Sequence, residues 1–202
     1  MKNYTITHVN GKPDWDQIPV LSMNQKYLQT ADEVAATAQI CYDDAGILVH
    51  LRAYVNKIRA VEHGALGMPC EDSCLEFFFQ PVPGDDRYIN LEFNFNGCYY
   101  LGIGTGVDDI MRILPYANAE NLFRHEISKT IDGWEIFYKI PYDFIRRLFP
   151  NFTVSPGETI RANCYACSDL SVPHYYLSWS EVVRDPFTFH RSSCFGSMTF
   201  SK

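Results

Sequence analysis

Residues 88–96 read YINLEFNFN, and the alternation is unbroken. Tyr88, Asn90, Glu92, Asn94 and Asn96 fall on one parity; Ile89, Leu91, Phe93 and Phe95 fall on the other. Successive side chains of a strand point to opposite faces, so the stretch predicts a β-strand with one apolar and one polar face. The apolar face fixes the register, because a slip of one residue would turn the amides and the carboxylate into the core. The polar parity carries short, stiff hydrogen-bonding groups where a solvent face usually carries Lys, Thr and Ser. Such groups suit a neutral polar ligand, and a plain solvated face accounts for them equally well.

The same pattern recurs on both sides. Asn96-Gly97 is a favoured hairpin step leading into a strand at 98–104. The glycines of GIGTG (102–106) lack the spacing of a dinucleotide loop, and no helix follows them. Upstream, a turn at 83–86 separates the opening stretch from 74–80, where Leu75, Phe77 and Phe79 alternate with Cys74, Glu76, Phe78 and Gln80. Residues 47–55 place Ile47, Val49, Leu51, Ala53 and Val55 on one face and His50, Arg52 and Tyr54 on the other. In 159–169, Arg161, Asn163 and Tyr165 share one parity; Ile160, Ala162, Cys164 and Ala166 share the other. Asp132-Gly133 marks a further hairpin, and residues 142–149 have helical spacing between Pro141 and Pro150. Residues 31–42 fit a helix or a strand, and 108–123 decide little. Many short alternating strands with hairpin turns predict an all-β fold over 1–202: a single-domain sandwich of two antiparallel sheets, jelly-roll or immunoglobulin-like, with one short helix.

The chain has 202 residues, enough to bury a large core without staples, and 15% are aromatic. The net charge of -7 argues against phosphate backbones and anionic membranes, so neither a nucleic acid nor a membrane is an expected partner. The N-terminal stretch lacks the apolar segment of a signal peptide, which predicts a cytoplasmic protein, or an extracellular one if a signal was removed. Seven scattered cysteines fit a reducing compartment. Cys164 and Cys167 form a CxxC, but three residues apart on a strand face opposite ways, so structural thiols are favoured over zinc or redox chemistry.

If the polar faces lie side by side, they form a concave wall of His50, Arg52, Tyr54, Glu76, Asn90, Glu92, Asn94, Arg161, Asn163 and Tyr165. Carboxylates, amides and guanidinium pair with sugar hydroxyls, and rings stack on a pyranose. Glu76 and Glu92 would repel on neighbouring strands unless a cation, an arginine or a proton intervenes. His190 reads as a packed, hydrogen-bonded histidine, and His174 as a loop residue. Asp14, Asp16, Asp43 and Asp44 are candidate calcium ligands, though acids in turns are common.

The ordered series PCEDSCLEFFFQP, YINLEFNFNG, GWEIFYKIPYDFI, RANCYACSD, HYYLSW and FHRSSCFGSMTF resembles carbohydrate-binding module family 9 and its freestanding family 9-like proteins. The resemblance runs from about Trp15 to Phe200. It implies a β-sandwich of two antiparallel sheets, glycan recognition and, in some members, bound calcium. It also implies two tryptophans clamping a terminal sugar, with Glu, Asn and Arg groups on its hydroxyls. Glu76 and Trp179 match that pattern, with Asn94 and Asn163 as weaker matches. Cys70 stands where the first clamp ring is expected, and Tyr54, Tyr99 or Tyr165 would have to replace it.

Two function classes follow. The first is non-catalytic binding of a mono- or oligosaccharide, with no catalytic residue and with Glu76, Asn90, Glu92, Asn94, Arg52, Arg161, Asn163, Tyr165 and Trp179 as the ligand-binding set. The second is a glycoside-acting enzyme using Glu76 and Glu92 as paired carboxylates. A heme-binding sandwich would need an axial His or Met, and no residue stands out as one.

Overall fold

The computed structural model describes residues 2–28, 34–114, 122–172 and 174–202. Among them the strands, in chain order, are β1 (Asn3–His8), β2 (Leu21–Ser22), β3 (Gln25–Lys26), β4 (Ala35–Tyr42), β5 (Gly46–Tyr54), β6 (Cys74–Gln80) and β7 (Tyr88–Asn94). They continue with β8 (Tyr99–Gly104), β9 (Met111–Arg112), β10 (Glu126–Thr130), β11 (Gly133–Pro141), β12 (Thr159–Ser168), β13 (Tyr175–Ser178) and β14 (Gly196–Phe200). The predicted short helix is α1, Tyr142–Leu148, opened by Pro141 at its N-cap. The protein is therefore mostly β with a short helix, as the alternation predicts. The ambiguous stretch 31–42 is strand from Ala35, where the β-branched residues begin; 31–33 lie outside the described residues, as do 115–121 of the undecided 108–123. No helix among the described residues is long and apolar enough to cross a membrane.

The expectation of two wholly antiparallel sheets needs correction at β1. The strand order is β10-β11-β5-β4-β1-β14-β12-β6-β7-β8-β9, one path that curls back on itself. β1 joins its halves: Asn3 to Ile6 pair with β14 and Thr7 to His8 with β4, both in parallel. The other ladders among the described residues, such as β4 with β5 and β6 with β7, are antiparallel. A parallel neighbour cannot come from a hairpin, so no local turn signal announces it.

The main core fills the space between the halves. Val49 and Leu51 of β5 and Trp134 and Ile136 of β11 join Phe77 and Phe79 of β6, Leu91 and Phe93 of β7, and Cys164 of β12. Those of β5, β6, β7 and β12 are the apolar parities read from the sequence. The opposite face of β6, β7 and β12 departs from expectation. It is not a wet wall, because every residue of β6 and β7 is buried. A second cluster covers it: Phe78, Tyr88, Tyr165 and Cys167 from the strands meet Val182, Phe189 and Phe195 from the long connection between β13 and β14.

Candidate functional site

Strand register builds the site floor. Glu76 of β6 stands opposite Glu92 of β7 and, on its other side, opposite Tyr165 of β12. Glu92 in turn faces Tyr100 of β8. Cys74 faces Cys167, and Cys167 faces Tyr176 of β13. The two glutamates are 2% and 5% exposed. Glu76 Oε1 accepts from Cys167 Sγ at 2.9 Å, and Glu92 Oε1 accepts from Asn90 Nδ2 at 2.9 Å. Glu92 Oε2 has no hydrogen-bond partner in the protein.

Burial raises the Glu76 carboxyl well above the usual range, and the Glu92 charge adds to it. Glu92 is pushed up to about 7, chiefly by burial, against the lowering pull of the Asn90 hydrogen bond. Burial also holds His190 low, and its Nδ1 lies 2.8 Å from the Tyr88 hydroxyl.

The glutamates open on a cavity of about 320 Å³. Its walls are Tyr100, Tyr176 and Phe187, with Asp169, Cys70 and His190 also on the lining. A second cavity, about 400 Å³, lies between the segment after β5 and residues 170–172; it is lined mostly by aliphatic residues, with Asn56, Lys57, Arg59 and Ser171, one ring and no carboxylate. Convergent polar groups and several rings mark the smaller cavity as the better candidate for a polar ligand.

Of the nine residues predicted to bind ligand, the structure brings Glu76 and Glu92 to this cavity. Asn90 supports Glu92 from below. Tyr165 is fully buried, stacked on Phe189 at 4.1 Å with its hydroxyl donating to the Phe189 carbonyl. Asn94 and Asn163 are corrected to structural roles, because backbone and protein partners use up their amides. Asn94 donates to the Glu62 carbonyl and Asp72 and accepts from the Asn96 and Cys98 N–H groups. Asn163 donates to the Ser180 carbonyl and accepts from the Ser180 and Cys164 N–H groups.

Arg161 donates to the carbonyls of Ser193 and Phe195 and holds that turn down. Arg52 lies on β5, in the other half of the sheet, bonded to Asp132 at 2.8 Å and stacked over Tyr54. Trp179 is also corrected. It packs in the main core edge-on to Tyr4, since it continues the inward parity of Tyr175 and Leu177.

Sequence reasoning missed Tyr100, Asp169, Tyr176 and Phe187. The signal for Tyr176 was available: in HYYLSW it holds the parity opposite to Trp179. Cys70 does line the cavity where a ring was expected.

Three of the four candidate calcium acids are engaged elsewhere. Asp14 caps a short 3-10 turn, Asp43 accepts from Lys139 and two backbone N–H groups, and Asp44 lies beside His8. The described residues hold one group of three potential metal ligands, Cys74, Glu76 and Cys167, whose donor atoms lie within 4.8 Å of one another. Two thiols do not suit calcium, which takes hard oxygen ligands.

Residues 12–200 match the profile of carbohydrate-binding family 9. The chain belongs to that family. Among solved structures it is similar to a candidate carbohydrate-binding protein from Bacteroides uniformis, with 24% identity, a TM-score of 0.82 and 99% of each chain covered. It is also similar to a family 9 module from Caldicellulosiruptor kristjanssonii in complex with glucose, with 13% identity and a TM-score of 0.67 over 99% of this chain and 96% of that one. The complex with cellotriose from the same organism gives 12%, 0.66, 99% and 94%. At these identities the likeness establishes the fold. None of the curated proteins matches the chain.

Proposed function

We propose that this family 9 protein binds a mono- or short oligosaccharide, without turning it over, in the cavity above Glu76 and Glu92. The observation that carries the reading is the pairing of two carboxylates on the floor with Tyr100, Tyr176 and Phe187 on the walls. Carboxylate oxygens accept from ring hydroxyls, and aromatic faces cover the apolar face of a pyranose. The glucose and cellotriose held by the C. kristjanssonii module set the ligand size to test first.

Hydrolysis is the weaker reading. A glycosidase places its carboxyl groups on either side of the scissile bond. Here both rise side by side from adjacent strands of one floor.

Calorimetric titration with a panel of mono- and oligosaccharides tests the proposal. Saturable binding without product release is expected, with about tenfold or greater loss in Tyr176→Ala, as for removal of a large ring from a binding pocket. Wild-type affinity in Tyr176→Ala would remove this cavity from consideration.

A further inference from the structure

We propose that the sugar this cavity takes carries a free, protonated amino group. The inference rests on the carbohydrate reading above and adds the charge of the ligand.

The floor has an excess of acceptors. Glu76 and Glu92 are cross-strand neighbours, and Asp169 opens on the same cavity. None of the ion pairs among the described residues involves any of the three. Arg112 is the cation whose field reaches Glu92. Its guanidinium is committed elsewhere, donating to the carbonyls of Leu66, Gly67 and Tyr99 and lying 4.7 Å over the Tyr100 ring. Burial lowers the His190 pKa and so disfavours its charged form. The protein therefore supplies one weak thiol donor to Glu76 and one amide donor to Glu92, and leaves Glu92 Oε2 buried and unpartnered.

A hydroxyl offers such a site one neutral donor. An ammonium offers three, each charge-assisted. The walls favour the same choice, because the faces of Tyr176 and Phe187 attract a cation as well as a sugar face. An N-acetylated sugar has neither the charge nor the three donors.

The test uses matched triplets: glucosamine, galactosamine and mannosamine, each beside its parent hexose and its N-acetyl derivative, titrated calorimetrically at pH 7. At least one free amine should bind about tenfold tighter than both neutral partners, a size set by charge-assisted bonds and cation–π contact. Glu92→Gln keeps the side-chain shape and should lower that ratio by about threefold or more, because the carboxylate with the unpartnered oxygen is gone while Glu76 and Asp169 remain; an unchanged ratio would overturn the inference. The ratio is the readout, not either affinity.

A pH series on the unmodified protein gives a second reading that needs no variant. The preference should fall from pH 7 to pH 5, a range in which the sugar's amine stays protonated, as the Glu76–Glu92 pair takes up protons. The phenols of Tyr100 and Tyr176 and the thiol of Cys70 are pushed up by burial, and Cys167 is raised by its hydrogen bond to Cys74, so they do not titrate there. Neutral hexoses binding as tightly as their amines would overturn this inference and leave the carbohydrate reading intact. No binding by any member of any triplet would overturn both.

Discussion

Glu76 on β6 and Glu92 on β7 stand directly opposite each other, nearly fully buried, and neither is ion-paired among the described residues. Burial raises both carboxyls, Glu92 to about 7. In the unfolded chain both ionise near the ordinary value of about 4.3. Between those limits the folded state holds more protons than the unfolded one. The stability tied to Glu92 is thus complete below about pH 4.3, falls as pH rises, and levels off above about 7, and the raised Glu76 carboxyl acts in the same direction. For Glu92 alone the loss is on the order of 4 kcal/mol, at about 1.4 kcal/mol per unit. Urea unfolding of the wild type and Glu92→Gln at pH 5 and pH 8 checks this. The variant should gain on the wild type as pH rises; a difference independent of pH would contradict the raised carboxyl.

Trp179 and Gly196 form a second testable contact. A Cβ on Gly196 would lie 2.5 Å from the Trp179 ring and 3.0 Å from the Lys2 carbonyl. Gly196→Ala should therefore cost about 1–3 kcal/mol by overpacking. Trp179→Phe in that background should restore part of it. Trp179→Ala alone should cost about 3–5 kcal/mol, the usual range for a lost core ring. Saccharide binding by the folded fraction should survive, since Trp179 sits in the main core. Loss of binding in a well-folded Trp179→Phe protein would return the ring to the site.

Asp72 anchors the segment that carries Met68 and Cys70 to the cavity. It is fully buried, pairs with Arg59, and accepts from the N–H groups of Val61 and Glu62 and from Asn94. Asp72→Ala strands the arginine and two backbone donors, so a loss of about 3–5 kcal/mol is expected. Hydrogen exchange at Val61 and Glu62 should accelerate before global unfolding. Unchanged protection at those amides would refute the anchor.

Arg52→Ala should leave saccharide affinity unchanged. Its Asp132 partner is exposed, and the pair lies in the other half of the sheet, so stability should move by no more than about 1 kcal/mol. Any selective loss of affinity would link that half to the ligand.

The sequence made the strands legible because the alternation is strong, and the same alternation placed Glu76 beside Glu92. It could not show that the polar face is roofed. The roof comes from residues 181–195, whose rings meet the strands only through tertiary packing. Nor could the sequence show that Glu62, Asp72 and the 94–98 turn use up the Asn94 amide, and that Ser180 and the Cys164 N–H use up that of Asn163. Trp179 matches the clamp ring of the family resemblance by spacing, whereas parity with Leu177 puts it inward. Arg52 was misplaced because alternation gives the face of a strand but not which half of the sheet carries it.

The two-sided pairing of β1 bears on how the protein is made. The second half of β1 pairs with β4, a partner translated soon after it. The first half has to wait for residues 197–200. On the ribosome, Asn3 to Ile6 remain without their partner until residues 197–200 emerge, and the seam between the halves cannot close before then. Such a chain folds late and slowly, with open strand edges that invite chaperones or aggregation meanwhile.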